Sequence, residues 1–169
     1  MILRHENAEK RYTELRQAIL KIVARNYPAS LGLDFRLVDN SALVASEEWT
    51  RSARLVDWNW LRGYPSFQFK HPKRFELALW HRGKLVSLSL GRPTSKCAGL
   101  RRDFIEASPP PREVKVVPIV LITMTAYAEA LGADEIRLVE PINDEVKGYY
   151  ETLGLTYVHK GNFLFKKIG

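Results

Sequence analysis

The sequence predicts an α/β sandwich: one mixed, mostly antiparallel sheet flanked by helices on both faces, folded as a single domain over residues 1–169. Three observations carry this. The hydrophobic period is three to four in the N-terminal part and becomes two at Phe75. From there the segments read strand, strand, strand, helix, strand, helix, strand, strand. Hydrophobic residues make up 46% of the 169, enough for a core of that kind.

The elements follow in order. Between Asn7 and Asn26, apolar Ala8, Tyr12, Leu15, Ile19, Ile22 and Val23 recur at helical spacing among Arg and Glu, and Pro28 ends the pattern. An extended segment spans Leu33 to Val38. A second helix is expected from about Ser46 to Leu61, with Ser46 at its start and Glu47 and Glu48 in its first turn. Three of the four tryptophans, Trp49, Trp58 and Trp60, fall in this mainly helical part (1–65), where they are expected to pack a helix onto the sheet.

The core segment is 75–165. Phe75, Leu77 and Leu79 alternate with Glu76, Ala78 and Trp80, the turn His81-Arg82-Gly83-Lys84 follows, and Val86, Leu88 and Leu90 alternate with Ser87 and Ser89, which makes an antiparallel hairpin. Another strand covers Leu100 to Ala107 and stops at Ser108 and three prolines. The stretch Val117 to Leu131 is apolar nearly all round, with Pro118 in its first turn and Gly132 past its end, and so reads as a buried helix. Lys115, Pro118 and Glu129 break the apolar run before it reaches membrane-spanning length. Glu135 to Val139 is a strand, Asn143 to Leu153 a helix capped by Asn143 and ended by Gly154, and Leu155 to His159 and Phe163 to Lys167 are the last two strands.

Twenty-six basic against nineteen acidic side chains give a formal charge of +7, which suits anionic partners such as nucleic acid or a phosphorylated cofactor. The excess lies in short clusters, Arg51/Arg54, Lys70/Lys73/Arg74, Arg101/Arg102 and Lys166/Lys167, with acids between them, and this reads as a solvated surface rather than a nucleic-acid stripe. A single cysteine, Cys97, excludes an internal disulfide and multi-cysteine zinc patterns; with no leader-like start, the expected compartment is the cytoplasm. The four histidines at 5, 71, 81 and 159 are dispersed and read as structural or surface groups, and no metal site is expected. Phosphate-loop, dinucleotide, zinc-protease and nucleophile-elbow motifs are all absent, which removes the chemistries they serve.

The informative run is Asn143-Asp144-Glu145-Val146-Lys147-Gly148-Tyr149-Tyr150-Glu151-Thr152-Leu153-Gly154-Leu155. It resembles the GNAT (GCN5-related N-acetyltransferase) pattern: an Asn, a small apolar residue three on, an aromatic-Tyr pair, then Leu-Gly leading into a strand. The preceding elements fall in that superfamily's order, so the resemblance covers about 75–165. It implies an acetyl-CoA-dependent transfer of an acyl group to an amine on a small molecule, a protein or an aminoacyl-RNA, by direct attack. By the same resemblance Tyr150 is the proton donor to the leaving thiolate, Asn143 flanks the pantetheine, and Glu106 is the base, with Glu140 in reserve. The superfamily's glycine-rich turn for the cofactor's pyrophosphate corresponds to Arg112-Glu113-Val114-Lys115-Val116-Val117-Pro118-Ile119, which has no glycine; Lys115, Val116 and Val117 are the implied binding positions, with charge from Arg112 and Lys115. The glycine-free turn also leaves a second reading, a non-catalytic binding or regulatory module of the same fold, and the basic charge a third, a nucleic-acid-binding protein.

Overall fold

The computed structural model describes residues 2–51 and 58–169. Its elements are α1 (Ile2–Ala24), β1 (Leu33–Arg36), α2 (Asn40–Ser46), α3 (Trp60–Lys70), β2 (Phe75–His81), β3 (Lys84–Pro93), β4 (Gly99–Ala107), α4 (Val116–Ala130), β5 (Glu135–Val139), α5 (Asp144–Thr152), β6 (Thr156–Val158) and β7 (Phe163–Lys167). The strands form one sheet in the order β1-β2-β3-β4-β5-β7-β6, in which only β4 and β5 run parallel.

Alternation along the strands sends side chains into two cores. On one face Phe75, Leu77, Leu79, Val86, Leu100, Ile136 and Leu138 meet Leu20 of α1, Val120, Met124 and Tyr127 of α4, and Tyr150 of α5. On the other, Ala78, Trp80, Leu88 and Leu90 meet Ala42 and Leu43 of α2 and Trp60 and Tyr64 of α3, with Trp49 beside them. Burial of the central strands on both faces explains why Ser87 and Ser89, which alternate with apolar residues, are themselves fully buried.

The region between β1 and β2 differs from the sequence expectation. Ser46 ends a helix instead of starting one: α2 begins at Asn40, and Asp39 caps it by accepting the Ala42 amide at 2.9 Å. Most of the expected 46–61 helix is replaced by a short 3₁₀ turn at Glu47–Arg51, while 52–57 lie outside the described residues. The helix α3 is shifted toward the C-terminus, capped by Asn59, whose side chain accepts the Arg62 amide at 2.9 Å. Gly63 and Pro65 are poor helix residues and hide it from sequence reasoning. Trp60 and Tyr64, one turn apart, bury against the sheet and hold it in place.

One member of each of two basic clusters is also not surface, while Lys70 and Lys73 are exposed as expected. Arg74 and Arg102 are buried. Arg74 donates to Glu76 Oε1 (2.8 Å) and to both carboxylate oxygens of Glu9 (2.7 and 2.9 Å). Glu76, in turn, accepts from the Tyr64 hydroxyl (2.8 Å) and the Val38 amide (2.7 Å), and Arg16 donates to the Pro72 and Arg74 carbonyls. A charge pair is tolerated in a core only when nearly every donor and acceptor is met, and here one network ties α1, α3 and β2 together.

Candidate active site

Pairing between β4 and β5 begins at Gly99↔Glu135 and stops at Arg102↔Leu138. Beyond that point β4 continues to Ala107 on β3 alone, and β5 pairs only with β7, so the two parallel strands part. A bulge marks the parting. Leu90 opposes Phe104 and Gly91 opposes Arg102, leaving Asp103 as the extra residue. Glycine is required opposite the bulge, since a Cβ on Gly91 would lie 2.4 Å from the Arg101 carbonyl oxygen.

Three features converge on this opening. Arg102 points to the α4/α5 side, where its Nη1 donates to the Tyr150 hydroxyl at 2.6 Å and its guanidinium lies 5.3 Å from the ring centroid. Its Nε is buried without a hydrogen-bond partner among the described residues. The second feature is the start of α4. Lys115 stands at its N-cap and no side chain caps it, so the Val116 and Val117 amides keep their donor capacity, although Pro118 has none to give, and the helix dipole adds positive potential. Val116 turns its side chain into the core, away from the solvent side of the turn. Lys115 is exposed, whereas Arg112 donates to the Ser108 carbonyl and is thereby fixed to the strand exit.

The third feature is a cavity of about 550 Å³ on the α3 side of β4, lined by Trp58, Phe67, His71, Arg92, Arg101, Asp103, Phe104 and Glu140 among others. Trp58 stacks flat on Phe104, with ring centroids 4.0 Å apart. Gly63 makes room for that indole, because a Cβ there would come within 2.2 Å of it. The Asp103 side chain is 8% exposed, takes two bonds from Arg101 on Oδ1, and keeps Oδ2 without a hydrogen bond, 3.5 Å from Arg92 Nε. Burial pushes the Asp103 carboxyl above its ordinary value, and the nearby Arg101 and Arg92 charges only partly oppose this.

The site residues expected from sequence divide as follows. Tyr150 is buried beside the parting strands, and Asn143 caps α5, its Oδ1 accepting the Val146 amide at 2.8 Å. Glu106 lies on the α3 side of β4, buried, and its Oε1 accepts the Trp60 indole N–H at 2.8 Å. Tyr150 and Glu106 therefore belong to opposite sides of the sheet. Glu140, at the end of β5, lines the cavity. Sequence reasoning missed Arg102, Asp103 and His71; the one available signal was the charged triplet Arg101-Arg102-Asp103 inside a strand, which breaks simple alternation.

This architecture, with its parallel pair opening beside an uncapped helix, is the fold of the GNAT acetyltransferases. The Ard1 protein of Thermoplasma volcanium superposes with a TM-score of 0.65 at 13% identity, over 82% of this chain and 99% of that one. The ribosomal-protein-S18-alanine N-acetyltransferase of Escherichia coli matches at 0.62 and 15% identity, over 81% and 94%. A putative acetyltransferase from Salmonella typhimurium, solved with its cofactor acetyl-CoA, matches at 0.58 and 13% identity, over 82% and 95%. No protein-family model matches the sequence, and no curated protein matches it. The likeness is thus one of fold. No helix among the described residues is long and apolar enough to cross a membrane.

Proposed function

We propose that this protein is a cytoplasmic acetyl-CoA-dependent N-acetyltransferase that acts on an amine. The observation that carries the reading is the pairing of Tyr150 with Arg102 at the point where β4 and β5 part. The residues fit the cofactor: uncapped α4 amides and exposed Lys115 suit a pyrophosphate, with Val116 and Val117 supplying backbone donors, and a buried guanidinium with an unmet N–H suits a group that gains negative charge. When bound, acetyl-CoA supplies an activated acyl carbon and a thiolate leaving group.

The chain's own groups then have separate tasks. Arg102 fixes the Tyr150 oxygen, leaving the phenolic hydrogen for donation to the departing sulfur. Asn143 holds the first turn of α5 and so the position of Tyr150 two turns on. On the α3 side a carboxylate takes the proton released by the attacking amine. Glu106 is buried, accepts the Trp60 indole N–H and would act through a water, whereas Asp103 lines the cavity, its Oδ2 buried without a hydrogen bond. Asp103 is therefore placed to meet the amine, with Glu106 behind it.

Calorimetric titration with acetyl-CoA tests the reading first. Saturable heat that is lost in Lys115→Glu supports it, and release of CoA with a panel of primary amines completes the test. Absence of both heat and thermal shift at millimolar acetyl-CoA would favour the non-catalytic module, to which the glycine-free turn at Lys115–Val117 points.

A further inference from the structure

Beside the aromatic cavity lies a second, smaller hollow of about 290 Å³, lined by Ala8 of α1, Lys70, His71, Pro72 and Lys73 between α3 and β2, and Arg92 and Pro93 at the end of β3. The two hollows share Lys70, His71 and Arg92, so they adjoin. Their charges differ. The larger contains the carboxylates Asp103 and Glu140, while the smaller has three cationic side chains and no acid.

Of these cations, Lys73 lies over the Tyr12 ring of α1, its Nζ 5.6 Å from the centroid. Neither Lys70 nor Lys73 has a carboxylate within ion-pair distance among the described residues, and Arg92 reaches only Asp103, at 3.5 Å. At His71, burial first, and then the charges of Arg92, Lys70 and Arg74, outweigh the opposing Asp103 carboxylate, lower its pKa and favour the neutral ring. Arg92 Nη1 lies 3.3 Å from His71 Nε2, and an arginine can only donate, so Nε2 accepts and the hydrogen resides on Nδ1. Two lysines, an arginine and a neutral histidine thus border the hollow, a positive surround that favours an anion. It is concave and too small for a polymer, which separates it from a nucleic-acid stripe.

We propose that the amine acceptor carries its own anionic group, a phosphate or a carboxylate, which docks between Lys70, Lys73, His71 and Arg92 while the amine reaches Asp103. This rests on the acetyltransferase reading for the amine end. The basic subsite itself stands on the cavity and its charges.

Phosphoethanolamine, β-alanine and ethanolamine form a matched set in which only the anionic group differs. Calorimetry on the full chain without acetyl-CoA reads binding alone, and CoA release with acetyl-CoA reads transfer. Phosphoethanolamine or β-alanine is expected to bind about 10- to 100-fold more tightly than ethanolamine, as one or two charge-assisted contacts would give. Which of the two leads distinguishes a phosphate from a carboxylate. In Lys70→Ala/Lys73→Ala that preference should shrink to within about threefold, whereas the charge-matched control Lys21→Ala/Lys84→Ala should keep it. Selective binding without any transfer would keep the subsite and sink the acetyltransferase reading. Equal binding of all three amines, no binding of either anionic one, or an undiminished preference in the Lys70/Lys73 variant would overturn the proposal.

Discussion

The Tyr150 hydroxyl accepts a hydrogen bond of 2.6 Å from Arg102 Nη1, joining α5 to β4 at the last residue of β4 that still pairs with β5. Tyr150→Phe removes that acceptor and the proposed acid together. Turnover should fall by about 10²- to 10⁴-fold with little change in acetyl-CoA affinity, and the unmet guanidinium should cost about 1–3 kcal/mol of stability. Tyr149, on the exposed side of α5 and about 100° around the helix, serves as the control through Tyr149→Phe. Normal turnover in Tyr150→Phe with only a lowered melting temperature would mean that the hydroxyl serves Arg102 and nothing else.

The two carboxylates on the α3 side of β4 are separable by substitution. Asp103→Asn should reduce kcat/KM more than Glu106→Gln does, because Asp103 lines the cavity and Glu106 is buried with an oxygen committed to the Trp60 indole. A base must be ionised to act. With the Asp103 carboxyl raised by burial, activity should rise with pH through a limb lying above the ordinary aspartate range, and that limb should vanish in Asp103→Asn. A pH–rate profile of both variants checks this; a larger loss in Glu106→Gln reverses the assignment.

Glu9 gives a prediction about stability alone. Burial alone would raise its carboxyl, but the Arg74 hydrogen bonds and the Arg74 and Arg16 charges outweigh this and hold it below 4.5. The folded protein therefore binds this proton less readily than the unfolded chain. Its contribution is present above pH about 4.5 and is lost as pH falls through the lower folded value. Glu9→Gln should lower the melting temperature at pH 7, and the difference from the parent should narrow toward pH 3; parallel curves over that range would contradict the coupling.

The bulge glycine makes a structural forecast. Gly91→Ala forces a Cβ to within 2.4 Å of the Arg101 carbonyl oxygen, and only backbone can give way. Overpacking of this kind costs about 1–3 kcal/mol, and here it would also move Arg102 and Asp103. Denaturant unfolding measures the first effect and the KM for the amine the second.

Local signals alone determined most of the core. The β2–β3 hairpin, the limits of β5, the Asn143 cap and Gly154 stop of α5, and the buried character of α4 all depend on residues within a few positions of one another, where period, capping and turn chemistry act directly. The position of Asn143 as a cap was legible for the same reason, whereas Tyr150 was singled out by the resemblance of the 143–155 run. Tertiary structure decided what depends on distant partners. Gly63 and Pro65 argue against α3, yet burial of Trp60 and Tyr64 on the sheet outweighs the propensity. Arg74 and Arg102 look like surface charge in sequence; they are buried because Glu9 and Glu76 in one case, and Tyr150 in the other, arrive from elsewhere in the chain. Asp103 owes its place to a bulge whose register is set by β3, and the Lys70–Arg92 hollow exists only where α1, the α3–β2 connection and β3 meet. A period records which face a residue takes. It carries no information about which remote side chain waits on that face, and the site's electrostatics depend on that pairing.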